Sequence, residues 1–131
     1  MKKRILLADD EVLVVKVTKF RLEHEGFEVL IAADGEEALK CAFANEGLDL
    51  ILLDIKMPKL DGFQVVKKLK ENPSTAKIPV ILFTASSVRW KNLIGKCTEL
   101  GVADLLRKPF ESKELAERIR RVLKKEEGPH V

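Results

Sequence analysis

Five short apolar runs alternate with longer amphipathic segments along this 131-residue chain. The first, third and fourth runs are almost continuously apolar, which is typical of strands buried on both faces of a parallel sheet. Glu28 interrupts the second run and Asp104 the fifth, so these two strands are expected to be less buried. The predicted strands are residues 4–8, 27–32, 50–53, 78–83 and 103–106.

The segments between and after these strands have the apolar spacing of helices, which are predicted over residues 11–25, 36–45, 62–71, 87–100 and 112–125. In the first helix, Leu13, Val17 and Phe20 form an apolar repeat at i, i+4 and i+7, and Gly26 is the expected stop. Strand–helix alternation predicts an α/β fold, a parallel sheet with helices on both faces. Right-handed crossovers then bring the carboxyl ends of all strands to one edge, where ligands bind.

Polar residues follow the predicted strands at that edge. Asp9 and Asp10 follow the first strand, Asp54 the third, Thr84 the fourth, and Lys108 lies just beyond the fifth. Two carboxylates about 4 Å apart repel by about 4 kcal/mol at an effective dielectric constant of 20, so the three acids need counter-charges. A divalent cation and Lys108 would balance them. Oxygen ligands without histidine or cysteine favour Mg²⁺.

Such a site suits phosphoryl transfer to Asp54. A carboxylate beside Mg²⁺ and lysine can attack a phosphoryl group whose charge both cations neutralise, which gives an aspartyl phosphate. The added negative charge would attract the Thr84 hydroxyl and shift the segment that follows it. Two other roles stay open at this stage: Asp10 also suits a helix cap, and Asp61 is predicted to cap the third helix.

In their order and at the strand ends, the acid pair at 9–10, the motif DIKMPKLDG at 54–62, FTA at 83–85 and KPF at 108–110 resemble the response-regulator receiver domains of two-component signalling. The resemblance spans residues 3 to 125. It implies a doubly wound, CheY-like (flavodoxin-like) sheet of five parallel strands in the order 2-1-3-4-5, with five helices. Residues 1–125 would form the receiver domain and 126–131 a polar tail or linker stub.

The resemblance also implies roles for individual residues. Asp54 would be the phosphoacceptor, Thr84 the switch hydroxyl and Lys108 the partner of a phosphoryl oxygen. Asp9, Asp10, Asp54 and the backbone carbonyl of Lys56 would hold Mg²⁺. The Lys108–Pro109 bond would be cis. One departure is Leu105, where the family usually has Tyr or Phe, so the usual aromatic switch cannot operate there.

The resemblance implies partners as well. The phosphoryl group would come from a sensor histidine kinase or a phosphotransfer protein. A downstream effector or fused output domain would contact the face of helix 4, strand 5 and helix 5, and phosphorylation could drive dimerisation. The protein would be no enzyme beyond its own phosphorylation and dephosphorylation. A stand-alone regulator and a receiver within a longer chain both fit the sequence.

Composition excludes few function classes but narrows the setting. A net charge of +3, with 24 basic and 21 acidic residues, does not indicate direct nucleic-acid binding. Two cysteines without metal-ligand spacing predict reduced thiols and a cytoplasmic location. The apolar run at residues 5–8 is too short for a signal peptide, and no membrane contact is expected.

Three alternative functions are weaker. A haloacid-dehalogenase-type phosphatase also uses a strand-end aspartate, but it needs a second acid where this chain has Lys56. A flavodoxin-like cofactor binder needs a phosphate loop after the first strand, where Asp9 and Asp10 would repel phosphate. A receiver fold that is never phosphorylated is the third alternative, and Leu105 is the residue in its favour.

Overall fold

The computed structural model describes residues 2–85 and 90–126, over which strands and helices alternate. The elements are β1 (Arg4–Ala8), α1 (Val12–His24), β2 (Glu28–Ala32), α2 (Gly35–Ala44), β3 (Leu50–Asp54), α3 (Gly62–Glu71), β4 (Val80–Thr84), α4 (Trp90–Leu100), β5 (Asp104–Arg107) and α5 (Ser112–Glu126). The five strands form one parallel sheet in the order β2-β1-β3-β4-β5. The predicted fold class and strand order are confirmed.

Two apolar cores lie on opposite faces of the sheet. Because successive strand residues point to opposite faces, Ile51 and Leu53 of β3 belong to one core and Leu50 and Leu52 to the other. The first core packs against α2, α3 and α4, and the second against α1 and α5. Strands β3 and β4 are buried along their whole length, whereas β2 and β5 include exposed residues, as predicted.

The apolar repeat that indicated α1 does not lie on the buried face of the helix. Leu13, Val17 and Phe20 are 77%, 50% and 71% exposed, while Val15 and Leu22 are buried against the sheet. Helix α1 carries apolar residues on more than one face, so their spacing alone cannot show which face is buried. The packing of α1 against β1, β2 and α5 decides which face is buried.

The other predicted bounds agree with the structure within two residues. The largest shift is in β4, which begins at Val80 and not at residue 78. Asp61 caps α3 as predicted, in a reciprocal capping box with Gln64. Residues 87–89 of the predicted fourth helix and residues 127–131 of the predicted tail lie outside the described residues.

Candidate functional site

Neighbouring strands place four of the predicted site residues at one edge of the sheet. Asp9 directly follows β1, and Asp54 is the last residue of β3, which pairs with β1. Thr84 ends β4, the next strand along, and its carbonyl accepts a hydrogen bond from the Lys108 N–H just beyond β5. Parallel strand order therefore brings together residues that are up to 99 positions apart in sequence.

The Lys108 ammonium group is the centre of the site. Its Nζ lies 2.8 Å from Asp9 Oδ2, 3.1 Å from Asp54 Oδ2 and 3.6 Å from Glu11 Oε1. Only 11% of the Lys108 side chain is exposed. The Lys108–Pro109 peptide bond is cis, as the resemblance implies.

Backbone N–H groups fix the two buried carboxylates. Asp9 Oδ1 accepts a hydrogen bond of 3.0 Å from the Glu11 N–H, and Asp54 Oδ1 accepts one of 3.1 Å from the Lys56 N–H. In both cases the donor lies two residues after the acid, and the second carboxylate oxygen is left for Lys108. Each carboxylate is thereby held in one orientation before any ligand arrives.

Burial raises the pKa of the Asp54 carboxyl group, because it disfavours the charged form; the Lys108 ammonium and the Lys56 N–H oppose this effect. Burial alone would lower the pKa of Lys108. The hydrogen bond to Asp9 and the charges of Asp54 and Asp9 outweigh it, so the pKa of Lys108 is raised. Lys108 therefore stays cationic, while Asp54 is a poorly solvated carboxylate.

Among the described residues, Asp9, Glu11 and Asp54 each place one carboxylate oxygen within 4.8 Å of the others. An all-oxygen donor set of this kind fits a hard divalent cation. Asp10 is exposed and is not in this group, so its role as a ligand stays a prediction, as does the role of the Lys56 carbonyl. Glu11 was not predicted as a site residue. The only indication in the sequence is that it is the third consecutive acid after β1.

An open cavity of about 630 Å³ gives access to Asp54. Its lining comprises Asp10, Glu11, Asp54, Lys56, Met57, Pro58, Thr84 and Ala85. Thr84 is 2% exposed and lies on the wall beside Asp54, whereas Ala85 has only a methyl group to obstruct entry. The Asp54 carboxylate is therefore open to a ligand that enters this cavity.

The sequence profile of the response regulator receiver domain matches residues 5–120 of the chain. The chain belongs to this receiver-domain family. This receiver domain is 39% identical over 127 residues to the alkaline phosphatase synthesis transcriptional regulatory protein PhoP of Bacillus subtilis (strain 168), covering 97% of the chain and 51% of that protein. It is 42% identical over 122 residues to the transcriptional regulatory protein CpxR of Klebsiella pneumoniae, covering 93% of the chain and 50% of CpxR. The receiver domain thus spans about half the length of these curated relatives.

Solved receiver structures have the same fold. A CheY-like receiver domain protein from Methanospirillum hungatei JF-1 has a TM-score of 0.86 and 31% identity, covering 97% of this chain and 98% of its own. The receiver domain of the sensor histidine kinase PA1611 from Pseudomonas aeruginosa PAO1, with a magnesium ion in its active-site cleft, has a TM-score of 0.84 and 28% identity; the match covers 95% of this chain and 99% of that one. Within residues 2–85 and 90–126 of this receiver domain, no helix is long and apolar enough to cross a membrane.

Proposed function

We propose that Asp54 accepts a phosphoryl group in a Mg²⁺-dependent reaction and that this changes a surface that a partner recognises. The observation that carries the proposal is the Asp54 carboxylate, which faces an open cavity while Lys108 and the Lys56 N–H hold its two oxygens. The phosphodonor would be a sensor histidine kinase or a phosphotransfer protein. The chain would be no enzyme beyond its own phosphorylation and dephosphorylation.

The residues at the strand ends divide the chemistry among them. A carboxylate oxygen of Asp54 forms a bond to phosphorus as the donor's bond to phosphorus breaks, and Lys108 donates a hydrogen bond to a phosphoryl oxygen. Asp9, Asp10, Asp54 and the Lys56 carbonyl would hold Mg²⁺, which would supply positive charge next to the phosphoryl group. The magnesium ion in the cleft of the PA1611 receiver domain supports this choice of metal.

Helix α1 offers a docking surface for the phosphodonor protein. The exposed side chains of Leu13 and Val17 border an apolar cavity of about 380 Å³ that extends to Lys108 and Phe110. Because Lys108 also contacts Asp54, a protein seated on α1 would lie next to the phosphoacceptor. Burial of this apolar surface would favour association.

The output surface is proposed on α4, β5 and α5. There Arg118 of α5 makes two hydrogen bonds of 2.8 and 2.7 Å to the carboxylate of Asp104 in β5. An effector, an output domain or a second copy would bind this face after phosphorylation. We place the domain in the cytoplasm, because Cys41 and Cys97 are free thiols.

Intact-mass measurement tests the phosphorylation itself. Incubation with Mg²⁺ and phosphoramidate or acetyl phosphate should add one phosphoryl group to the wild type and none to Asp54→Ala. Asp49→Ala is the matched control, because Asp49 directly precedes β3, at the end away from Asp54, and accepts a hydrogen bond from the Arg4 N–H. It should still be phosphorylated. No adduct with any donor, including a histidine-phosphorylated protein, would contradict the proposal.

A further inference from the structure

Glu11 is an acidic residue of the site that the proposed chemistry does not use. It is the N-cap residue of α1, but its side chain accepts no hydrogen bond from the first turn of that helix. Acceptors at this position ordinarily bond to an N–H of the first turn. The carboxylate of Glu11 instead lies 3.6 Å from Lys108 Nζ. Its side chain thus serves the site and not the helix.

Lys108 has three N–H donors to distribute. Asp9 Oδ2 and Asp54 Oδ2 take two of them at hydrogen-bond distances of 2.8 and 3.1 Å. Glu11 lies at ion-pair distance and is 56% exposed, whereas the Asp9 and Asp54 side chains are 1% and 8% exposed. The longest of the three contacts is therefore to the most exposed carboxylate, which also lines the open cavity.

A phosphoryl group on Asp54 would compete with Glu11. It would occupy the cavity that Glu11 lines and add about −1.5 to −2 of charge in place of one carboxylate charge. Oxygens of Glu11 and Asp54 already approach within 4.8 Å, and both carboxylates pair with Lys108, so the incoming oxygens would be attracted to the ammonium group that Glu11 contacts. Asp9 and Asp54 are held by backbone N–H groups, which leaves Glu11 as the partner most easily displaced.

We propose that Glu11 is a positioning residue: its carboxylate is the exposed ion-pair partner of the Lys108 ammonium group in the unphosphorylated state and must give up that place to a phosphoryl oxygen. Glu11 thereby lowers the affinity of the site for phosphoryl groups. This inference rests on the proposed function, since it assigns a role toward the same phosphoryl group.

The test measures the affinity for beryllium trifluoride, a tetrahedral phosphoryl analogue, by isothermal titration calorimetry at saturating Mg²⁺. Glu11→Gln keeps the size of the side chain and removes its charge, and it should bind the analogue about threefold to tenfold more tightly than the wild type. Glu23→Gln makes the same change of charge elsewhere on α1, where Glu23 pairs with Lys19 at 3.1 Å, and should bind as the wild type does. Unchanged or weaker binding by Glu11→Gln, or equal tightening by Glu23→Gln, would overturn the inference.

A double-mutant cycle tests whether Glu11 acts through Lys108. In a Lys108→Met background, Glu11→Gln should no longer change the affinity for beryllium trifluoride. If it still tightens binding to the same extent, Glu11 repels the anion directly and the positioning role is wrong.

A third measurement separates this inference from the proposed function. The ¹⁵Nζ resonance of Lys108, recorded without ligand, should shift in Glu11→Gln and stay in place in Glu23→Gln. If wild-type protein binds no beryllium trifluoride, the proposed function fails while this resonance still tests the contact. If the Lys108 resonance is the same in the wild type and in Glu11→Gln, the inference is wrong, whether or not the wild type binds beryllium trifluoride.

Discussion

At the scale of single residues, Asp54 combines reactivity with a cost in stability. Its folded-state pKa is raised, chiefly by burial, and the favourable charge of Lys108 does not fully compensate. A carboxyl group with a raised pKa destabilises the fold at pH values above that pKa, and the penalty vanishes below the pKa of the unfolded chain, about 4. The residue proposed to do the chemistry is thus held at the expense of stability.

Asp54→Asn should therefore raise the free energy of unfolding at pH 7, by about 1 kcal/mol, because it removes a buried charge. This gain in unfolding free energy should decrease as the pH falls toward 4, because Asp54 of the wild type then becomes protonated. Urea unfolding at several pH values measures this. Asp34→Asn is the control of opposite sign: a hydrogen bond from the Glu37 N–H lowers the pKa of Asp34, so its charge stabilises the fold above pH 4 and the variant should gain nothing. A less stable Asp54→Asn would mean that the Lys108 ion pair outweighs burial.

Gly62, the first residue of α3, packs too closely against the backbone of Asp54 and Ile55 for any larger residue to fit. A Cβ atom at this position would lie 2.8 Å from the Asp54 carbonyl oxygen and 2.9 Å from Ile55 Cα, both backbone atoms that cannot move freely. Gly62→Ala should therefore cost about 1–3 kcal/mol of unfolding free energy. Gly95→Ala is the matched control in α4, where nothing lies within 4 Å of the added Cβ, and it should stabilise by about 0.5–1 kcal/mol. Thermal or urea unfolding distinguishes the two, and equal effects would contradict the assigned packing.

At the scale of elements, α1 shows that the apolar pattern of a sequence predicts the presence of a helix but not which face of it is buried. Its existence and limits follow from helical spacing and from Gly26, which adopts a positive φ after the helix. The orientation of α1 does not follow from the sequence, because apolar residues occur on both the packed and the exposed faces of the helix. Phe20 is 71% exposed and Leu22 is 1% exposed, although both are large apolar residues of the same helix.

Alanine substitutions should reveal this difference in α1. Leu22→Ala should cost about 2–5 kcal/mol of unfolding free energy, because it leaves a cavity in the core. Phe20→Ala should change it by no more than about 0.5 kcal/mol. Urea unfolding of the two variants checks the prediction. Comparable losses would show that Phe20 packs against the protein, contrary to its exposure in the structure.

At the scale of the whole molecule, the site edge is connected to the α4–β5 face through neighbouring strands. Thr84 is the register partner of Arg107, and the Arg107 guanidinium lies 4.6 Å from the centre of the Trp90 ring. Leu105 takes the place of the aromatic residue that the family usually has in β5. Only 8% of Leu105 is exposed, and it belongs to the apolar core against which Trp90 packs. Trp90 thus supplies an aromatic ring near Leu105, but from α4.

Trp90 fluorescence should therefore change when Mg²⁺ and beryllium trifluoride bind, since a shift of Thr84 would move its register partner Arg107 and alter the contact of Arg107 with the Trp90 ring. The chain has one tryptophan and no tyrosine, so the emission reports this region alone. Asp54→Asn should show no change with the same additions. A constant Trp90 signal in protein whose phosphorylation is confirmed by mass would show that α4 does not report the switch.

The family match favours a receiver over the phosphatase and the flavodoxin-like cofactor binder that the sequence left open. The edge with Asp9, Asp54, Thr84 and Lys108 was predictable because each residue ends or follows an apolar strand and parallel strands share one carboxyl edge. Glu11 was not predictable in this way, because a flexible side chain at a helix start can point to the helix or to the site.

The sequence by itself determined the order of the elements, the parallel sheet and the acids, hydroxyl and lysine at its edge, because these depend on local patterns of apolar and polar residues. Only the tertiary structure decided which face of α1 is buried, that Glu11 turns to Lys108, and that Trp90 stacks on Arg107. Those three features depend on helix rotation and side-chain direction, which packing between elements that are distant in sequence determines.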